Sequence, residues 1–143
     1  MNDSHLQLPL GREQIPAVLR QHGILATTQR VDIASVMLAS RQHMAADQVL
    51  AQVNAHGGGV SKATVYNTLG LFAEKGLIRQ VIVDSSRVFY DSNTRPHYHF
   101  YNVDDGTLTD IDIAEVRVDA LPSPPADTAT EAIDVIIRIR NQR

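Results

Sequence analysis

Three histidines and two aspartates have the types and spacing to grip a cation: His43, Asp91, His97, His99 and Asp110. His97 and His99 stand two apart in a β-rich stretch, so both imidazoles leave one face with their roots about 7 Å apart, close enough to converge on one ion. Asp91 ends the preceding β-rich stretch, and Asp110 falls on the stretch expected to pair with the His97 strand. His43 sits in the short connection between the second and third predicted helices. The sequence has no cysteine, which excludes disulfides, thiolate zinc sites, iron–sulfur clusters and cysteine nucleophiles. Such an all-nitrogen-and-oxygen set suits five- or six-coordinate Fe²⁺ or Mn²⁺, with Zn²⁺ able to compete by affinity. The same spacing also suits a surface His-x-His pair beside turn-forming aspartates, so spacing alone leaves both readings open. His5 reads as exposed in a polar tail, His22 as a helix C-terminal residue favoured by the dipole, and His56 as a loop residue.

The elements that must position these residues follow from periodicity. Ile15, Val18, Leu19 and His22 repeat at helical spacing until Gly23, and Thr27 or Thr28 can cap a second helix carrying Val31, Ala34, Met37 and Leu38. A third, through Ala46, Val49, Leu50 and Val53, stops at the glycine run Gly57 to Gly59. Ser61 caps a fourth that ends at Gly76. There Val65, Leu69 and Phe72 share a core-facing side, while Ala63, Tyr66, Asn67 and Gly70 share an uncharged side suited to contact. The period then changes to two over 78–83 and 87–91, around the turn residues Asp84, Ser85 and Ser86, which predicts a hairpin. Helices followed by such a hairpin make the winged form of the helix-turn-helix, whose second helix enters the major groove.

Asn93 to Pro96 reads as a hinge, after which strands dominate: 97–103, a turn at Asp104-Asp105-Gly106, 107–113, a proline-rich bend over 121–125, and a last strand over 133–140. The expected class is therefore α+β: a winged helix-turn-helix DNA-binding domain over 1–92, a hinge over 93–96, and a small antiparallel β domain over 97–143 for dimerisation and sensing. Three strands with little helix bury too little surface alone, so the second domain is expected to form a homodimer, which also sets two reading helices on one duplex. An ion held by residues of both domains would favour one hinge geometry and act as a switch on DNA affinity.

With 143 residues, 43% of them hydrophobic and 20% charged, the chain falls outside the disordered, fibrous and membrane classes. No apolar run approaches the roughly 18–20 residues that span a bilayer, and the N-terminus lacks a secretory pattern, so a cytoplasmic protein is expected. The net charge of −3 is uneven: residues 1–95 carry nine Lys/Arg against seven Asp/Glu, and residues 96–143 carry four against nine. A mildly basic front and an acidic back suit a nucleic-acid reader joined to another function.

The run SKATVYNTLGLFAEKGLIRQVIVDSSRVFYDSNTRPHYHF, followed by Asp110, resembles the ferric uptake regulator family. LPSPP followed by IDVIIRIR resembles its iron response regulator (Irr) branch in particular. The resemblance covers nearly the whole chain. It implies a regulatory metal on His43, Asp91, His97, His99 and Asp110. It also implies DNA contact by Ser61, Lys62, Ala63, Thr64, Tyr66 and Asn67, with Tyr66 on thymine methyls and Asn67 on neighbouring bases.

Several departures accompany it. The structural zinc that typical members hold with two Cys-x-x-Cys pairs is not expected, since the first pair would fall at Asn102 and Asp105. A second metal position in many relatives corresponds to Pro96 and Tyr98, and a minor-groove cation to Leu25 and Ala26. The iron response branch implies haem sensing, for which His97 or His99 would be the ligand. The peroxide-sensing branch, with its aspartate ligands, is the alternative, in which iron-catalysed oxidation falls on His43 or His97. A non-haem iron enzyme using two histidines and a carboxylate is a competitor from another class, with little room for a substrate cavity in the second half, and a metal-independent DNA-binding repressor with a vestigial site is a third reading.

Overall fold

The computed structural model describes residues 6–143, so His5 lies outside the described residues. The chain forms two compact units that divide between Arg95 and Pro96.

In the first unit, a 3₁₀ turn at Arg12–Gln14 leads into α1 (Ile15–Gln21). His22 closes that helix, its Nδ1 2.8 Å from the Val18 carbonyl oxygen, and Gly23 takes the left-handed conformation at φ 73° that a side chain would resist. The Thr27 side chain accepts from the Arg30 N–H and starts α2 (Thr28–Met37). A short strand β1 (His43–Ala45) precedes α3 (Ala46–Ala55). The Ser61 hydroxyl then accepts the Thr64 N–H at 3.2 Å and starts α4 (Lys62–Glu74).

Val65, Leu69 and Phe72 are fully buried and join Ile15, Leu19, Ile33, Met37 and Val49 in one core. Burying a large aliphatic or aromatic side chain contributes about 1.5–3 kcal/mol, so this cluster is what holds α4 against the other helices. The hairpin β2 (Arg79–Asp84) and β3 (Arg87–Asp91) follows. Its turn is closed by Asp84, whose Oδ1 accepts from both the N–H and the hydroxyl of Ser86 at 2.8 Å.

The sequence reading places His43 in a plain connection, whereas the structure makes it the first residue of a strand on the free edge of the hairpin, in the order β1-β3-β2. Three residues are too few to show a period of two. They form a strand because β3 offers an open row of backbone groups, and because Ser92 and Gln42 clamp the ends. The Ser92 N–H donates to the Gln42 carbonyl at 2.9 Å, and the Gln42 N–H donates to the Ser92 hydroxyl at 3.0 Å.

In the second unit β4 (His97–Asn102) pairs antiparallel with β5 (Leu108–Asp112) on one side and parallel with β6 (Ile136–Ile139) on the other. This corrects an expectation of antiparallel strands only and of a last strand over 133–140. The chain leaves β5 at the end of the sheet where β4 begins, and it pairs again only after residues 113–135 have crossed to the far side of β4. Strand direction depends on where that connection lands, which no local pattern encodes.

A polar clasp anchors β6. The Asn102 Oδ1 accepts from the backbone N–H groups of Asp104 and Asp105 at 2.9 and 3.3 Å, and its Nδ2 donates to Asn141 Oδ1 at 2.7 Å. The Asn141 N–H donates to the Asp104 carboxylate at 2.9 Å. In the same turn the hydroxyl and N–H of Thr107 hold the Asp105 carboxyl below its ordinary range. Asn102 is the position where the resemblance would set a zinc cysteine, and here its amide bonds to this turn and to the C-terminal segment. Each of these bonds contributes about 0.5–1.5 kcal/mol net, and truncating Asn102 removes three of them. Asn102→Ala is therefore expected to speed amide hydrogen exchange across β6 and the β4–β5 turn, with the α4 core amides unchanged. Equal protection of β6 in wild type and variant would show that the clasp does not anchor it.

Candidate metal centre and nucleic-acid interface

The antiparallel register sets His99 directly opposite Asp110 and His97 opposite Asp112. Because side chains alternate along a strand, His97, His99 and Asp110 leave the same face. The imidazoles meet edge-on with ring centroids 4.5 Å apart. Nε2 of His97 lies 3.6 Å and Nε2 of His99 lies 3.5 Å from the same Asp110 Oδ1. The ligand atoms of the three residues all fall within 4.8 Å of one another.

These separations exceed the usual 2.7–3.2 Å of a hydrogen bond. They fit a shared ion, because ligands about 2.1 Å from a metal stand roughly 3–3.5 Å from one another. Both imidazoles are buried, His97 at 6% and His99 at 2% exposure. The Asp110 side chain is half exposed. Two neutral imidazole nitrogens and a carboxylate oxygen make a donor set for a borderline or hard divalent cation.

The first unit holds the other two expected ligands as a cross-strand pair. β1 and β3 place His43 opposite Asp91, so both leave one face of that ladder. Asp91 is buried at 1% exposure, and its Oδ1 accepts the Asn93 N–H at 2.8 Å. That Asx turn fixes the carboxylate where β3 ends. His43 is half buried, with its ring edge-on to Phe89 at 6.3 Å. The strand β1, which sequence reasoning missed, is what aligns these two residues.

On α4 the buried stripe leaves a second face outside. Ser61, Lys62, Ala63, Tyr66, Asn67 and Gly70 are exposed, and Thr64 is half buried beneath the cap. Ser61 also donates its hydroxyl to Thr64 Oγ1 at 2.9 Å. The face thus presents hydroxyl, amide and methyl groups of the kind that meet base edges in a major groove. Leu25, at the position where the resemblance would put a cation, is exposed.

One residue of this surface escaped the sequence reading. The Tyr66 hydroxyl donates to Asp47 Oδ1 at 3.2 Å, and Lys62 Nζ lies 3.7 Å from the same oxygen. The Lys62 ammonium also stands 5.6 Å from the centre of the Tyr66 ring. Asp47 belongs to the first turn of α3, so only the packing of α3 on α4 brings it here. No local pattern could have signalled it.

Among the described residues no helix is long and apolar enough to cross a membrane. The sequence profile of the Ferric uptake regulator family matches residues 21–122. The peroxide-responsive repressor PerR of Staphylococcus aureus (strain Mu50 / ATCC 700699) is 31% identical over 105 residues, spanning 73% of this chain and 71% of that protein. Among solved structures, the ferric uptake regulator of Pseudomonas aeruginosa with manganese superposes with a TM-score of 0.69 at 24% identity, covering 90% of this chain and 98% of that one. The ferric uptake regulator of Francisella tularensis with iron gives 0.66 at 21% identity, covering 84% and 93%. The α+β order of winged helix-turn-helix and β unit is the fold of these regulators. With the profile match spanning most of its length, the chain belongs to the ferric uptake regulator family of metal-responsive, dimeric, DNA-binding transcription regulators, which are not enzymes.

Proposed function

We propose that this chain regulates iron-linked genes by binding operator DNA through α4, with an affinity set by one divalent ion held by His97, His99 and Asp110 together with His43 and Asp91. The observation that carries this reading is the pair of 3.5 and 3.6 Å approaches of two buried imidazoles to one carboxylate oxygen. Fe²⁺ or Mn²⁺ is the preferred occupant, because the set contains no thiolate and two carboxylates, with Zn²⁺ a competitor by affinity.

The residues divide the work. His97 and His99 supply neutral imidazole nitrogens, and the β4–β5 ladder holds them so that little side-chain entropy is lost on binding. Asp110 and Asp91 supply charge to balance the cation. Residues 1–92 read DNA, residues 93–96 act as the hinge, and residues 97–143 form the dimer and the sensor. Because the five ligands come from both sides of the hinge, occupancy selects one spacing of the two reading helices in the homodimer. On α4, Ser61, Lys62 and Thr64 approach the backbone while Ala63, Tyr66 and Asn67 meet base edges.

A second reading has specific support. Two aspartates in the ligand set and the 31% identical peroxide-responsive repressor favour a peroxide sensor, in which bound iron makes a ligand ring the target of oxidation. His43 and His97 are the rings at risk. The iron response branch, with haem on His97 or His99, is less favoured, since an axial ligand must reach a porphyrin and both imidazoles are buried. One experiment separates the two signals. Iron-loaded protein treated with dilute peroxide is expected to gain one oxygen atom on His43 or His97 by tandem mass spectrometry and to release DNA. Unmodified protein that releases DNA only on haem addition would instead establish the iron response reading.

The ligand assignment is tested by His99→Ala, expected to weaken Mn²⁺ binding by calorimetry at least roughly tenfold and to remove the gain in DNA affinity that Mn²⁺ brings over chelator. A response to Mn²⁺ equal to that of wild type would remove His99 from the site. DNA affinity in wild type that is the same with Mn²⁺ and with chelator would leave a metal-independent repressor. For the reading helix, the tightest duplex that wild-type protein selects from a randomised pool is compared with a mixed-sequence duplex. Tyr66→Ala is expected to narrow that preference by about 1–3 kcal/mol. Equal losses on both duplexes would count against α4 as the base reader.

A further inference from the structure

We propose that Asp47 is a specificity-determining residue: its carboxylate masks the Lys62 ammonium and holds the Tyr66 hydroxyl, so that the α4 face binds arbitrary duplex weakly and depends on base contacts. This rests on the reading of α4 as the DNA-contacting helix.

Stability does not explain the arrangement. The Lys62 and Asp47 side chains are 65% and 68% exposed, and exposed ion pairs contribute little to folding. A carboxylate on a surface that meets phosphates is moreover repelled by them. What the pair changes is the charge of the reading face. From Ser61 to Asn67 the sequence carries one charged side chain, Lys62, and Asp47 stands 3.7 Å from it. With that cation partly compensated, Lys62 attracts a phosphate backbone of any sequence less than an unpaired ammonium would.

Sequence-independent affinity comes almost wholly from phosphate neutralisation, whereas discrimination comes from base edges. Suppressing the first while keeping the second widens the gap between operator and other DNA. The same oxygen that faces Lys62 accepts the Tyr66 hydroxyl at 3.2 Å, and Lys62 lies over the Tyr66 ring. One acidic side chain thus sets both the charge of the face and the orientation of its largest reading group. An asparagine at this position can still accept from Tyr66 while losing the charge, which separates the two effects.

The test compares Mn²⁺-loaded wild type, Asp47→Asn, Lys62→Met and the double variant on the selected duplex and on a mixed-sequence duplex, over a series of salt concentrations. Asp47→Asn is expected to bind the mixed duplex several-fold more tightly at low salt. Its slope of log affinity against log salt should steepen by about 0.9 per protomer, one further neutralised phosphate for each reading helix of the dimer, and its preference for the selected duplex should shrink. In the double variant the slope should match that of Lys62→Met alone. Wild-type binding with an unchanged slope and preference in Asp47→Asn would overturn the masking role, as would a steeper slope that persists without Lys62. Wild-type protein that binds neither duplex would overturn the DNA reading itself, and this inference with it.

Discussion

The pairing register of β4 with β5 is the constraint on which the candidate metal centre depends. With His99 opposite Asp110, the two imidazoles and the carboxylate share a face. A slip of one residue would send Asp110 to the opposite face and leave two buried histidines without their carboxylate. The register is held at the far end by the turn around Asn102, where the side chain accepts two backbone N–H groups and Gly106 supplies a positive φ of 74°. The same asparagine reaches Asn141, so one polar residue sets the β4–β5 alignment and anchors the strand on the other side.

Hydrogen bonds take this role because the second unit has few apolar residues to bury. Tyr98, Tyr101, Leu108 and Ile111 are buried there, while Ile113, Val118, Leu121, Ile133, Ile137 and Ile139 stay substantially exposed in the single chain. A sheet of three short strands seldom holds itself together. The exposed aliphatics are consistent with a family whose members act as dimers, in which a second copy supplies the missing cover.

The first unit follows a different logic, because its apolar core is contiguous. Val65, Leu69 and Phe72 lock one side of α4 into that core, which leaves the orientation of the other side little freedom. A rigid helix presents Tyr66 and Asn67 already positioned before any partner arrives, which a flexible loop would not do. β1 extends the same rigidity to His43 by pairing it with Asp91. Each unit therefore carries its candidate ligands on strands and not in loops.

Local chemistry decided much of this molecule before any packing. The helix starts at Thr27 and Ser61, the stops at Gly23 and Gly76, the core side of α4, the hairpin and the His-x-His strand all rest on patterns a few residues long, and each is found where those patterns put it. That any donor set here holds only nitrogen and oxygen was equally legible, since the absence of cysteine follows from composition. Contacts between distant segments were not legible. The strand at His43 exists only because β3 has a free edge, the parallel direction of β6 depends on where residues 113–135 come to rest, and Asp47 meets Lys62 and Tyr66 only because α3 packs on α4. Capping, turn formation and amphipathic periodicity act between near neighbours and are written in order along the chain, whereas pairing and charge compensation act through space and come into being only when the core has closed.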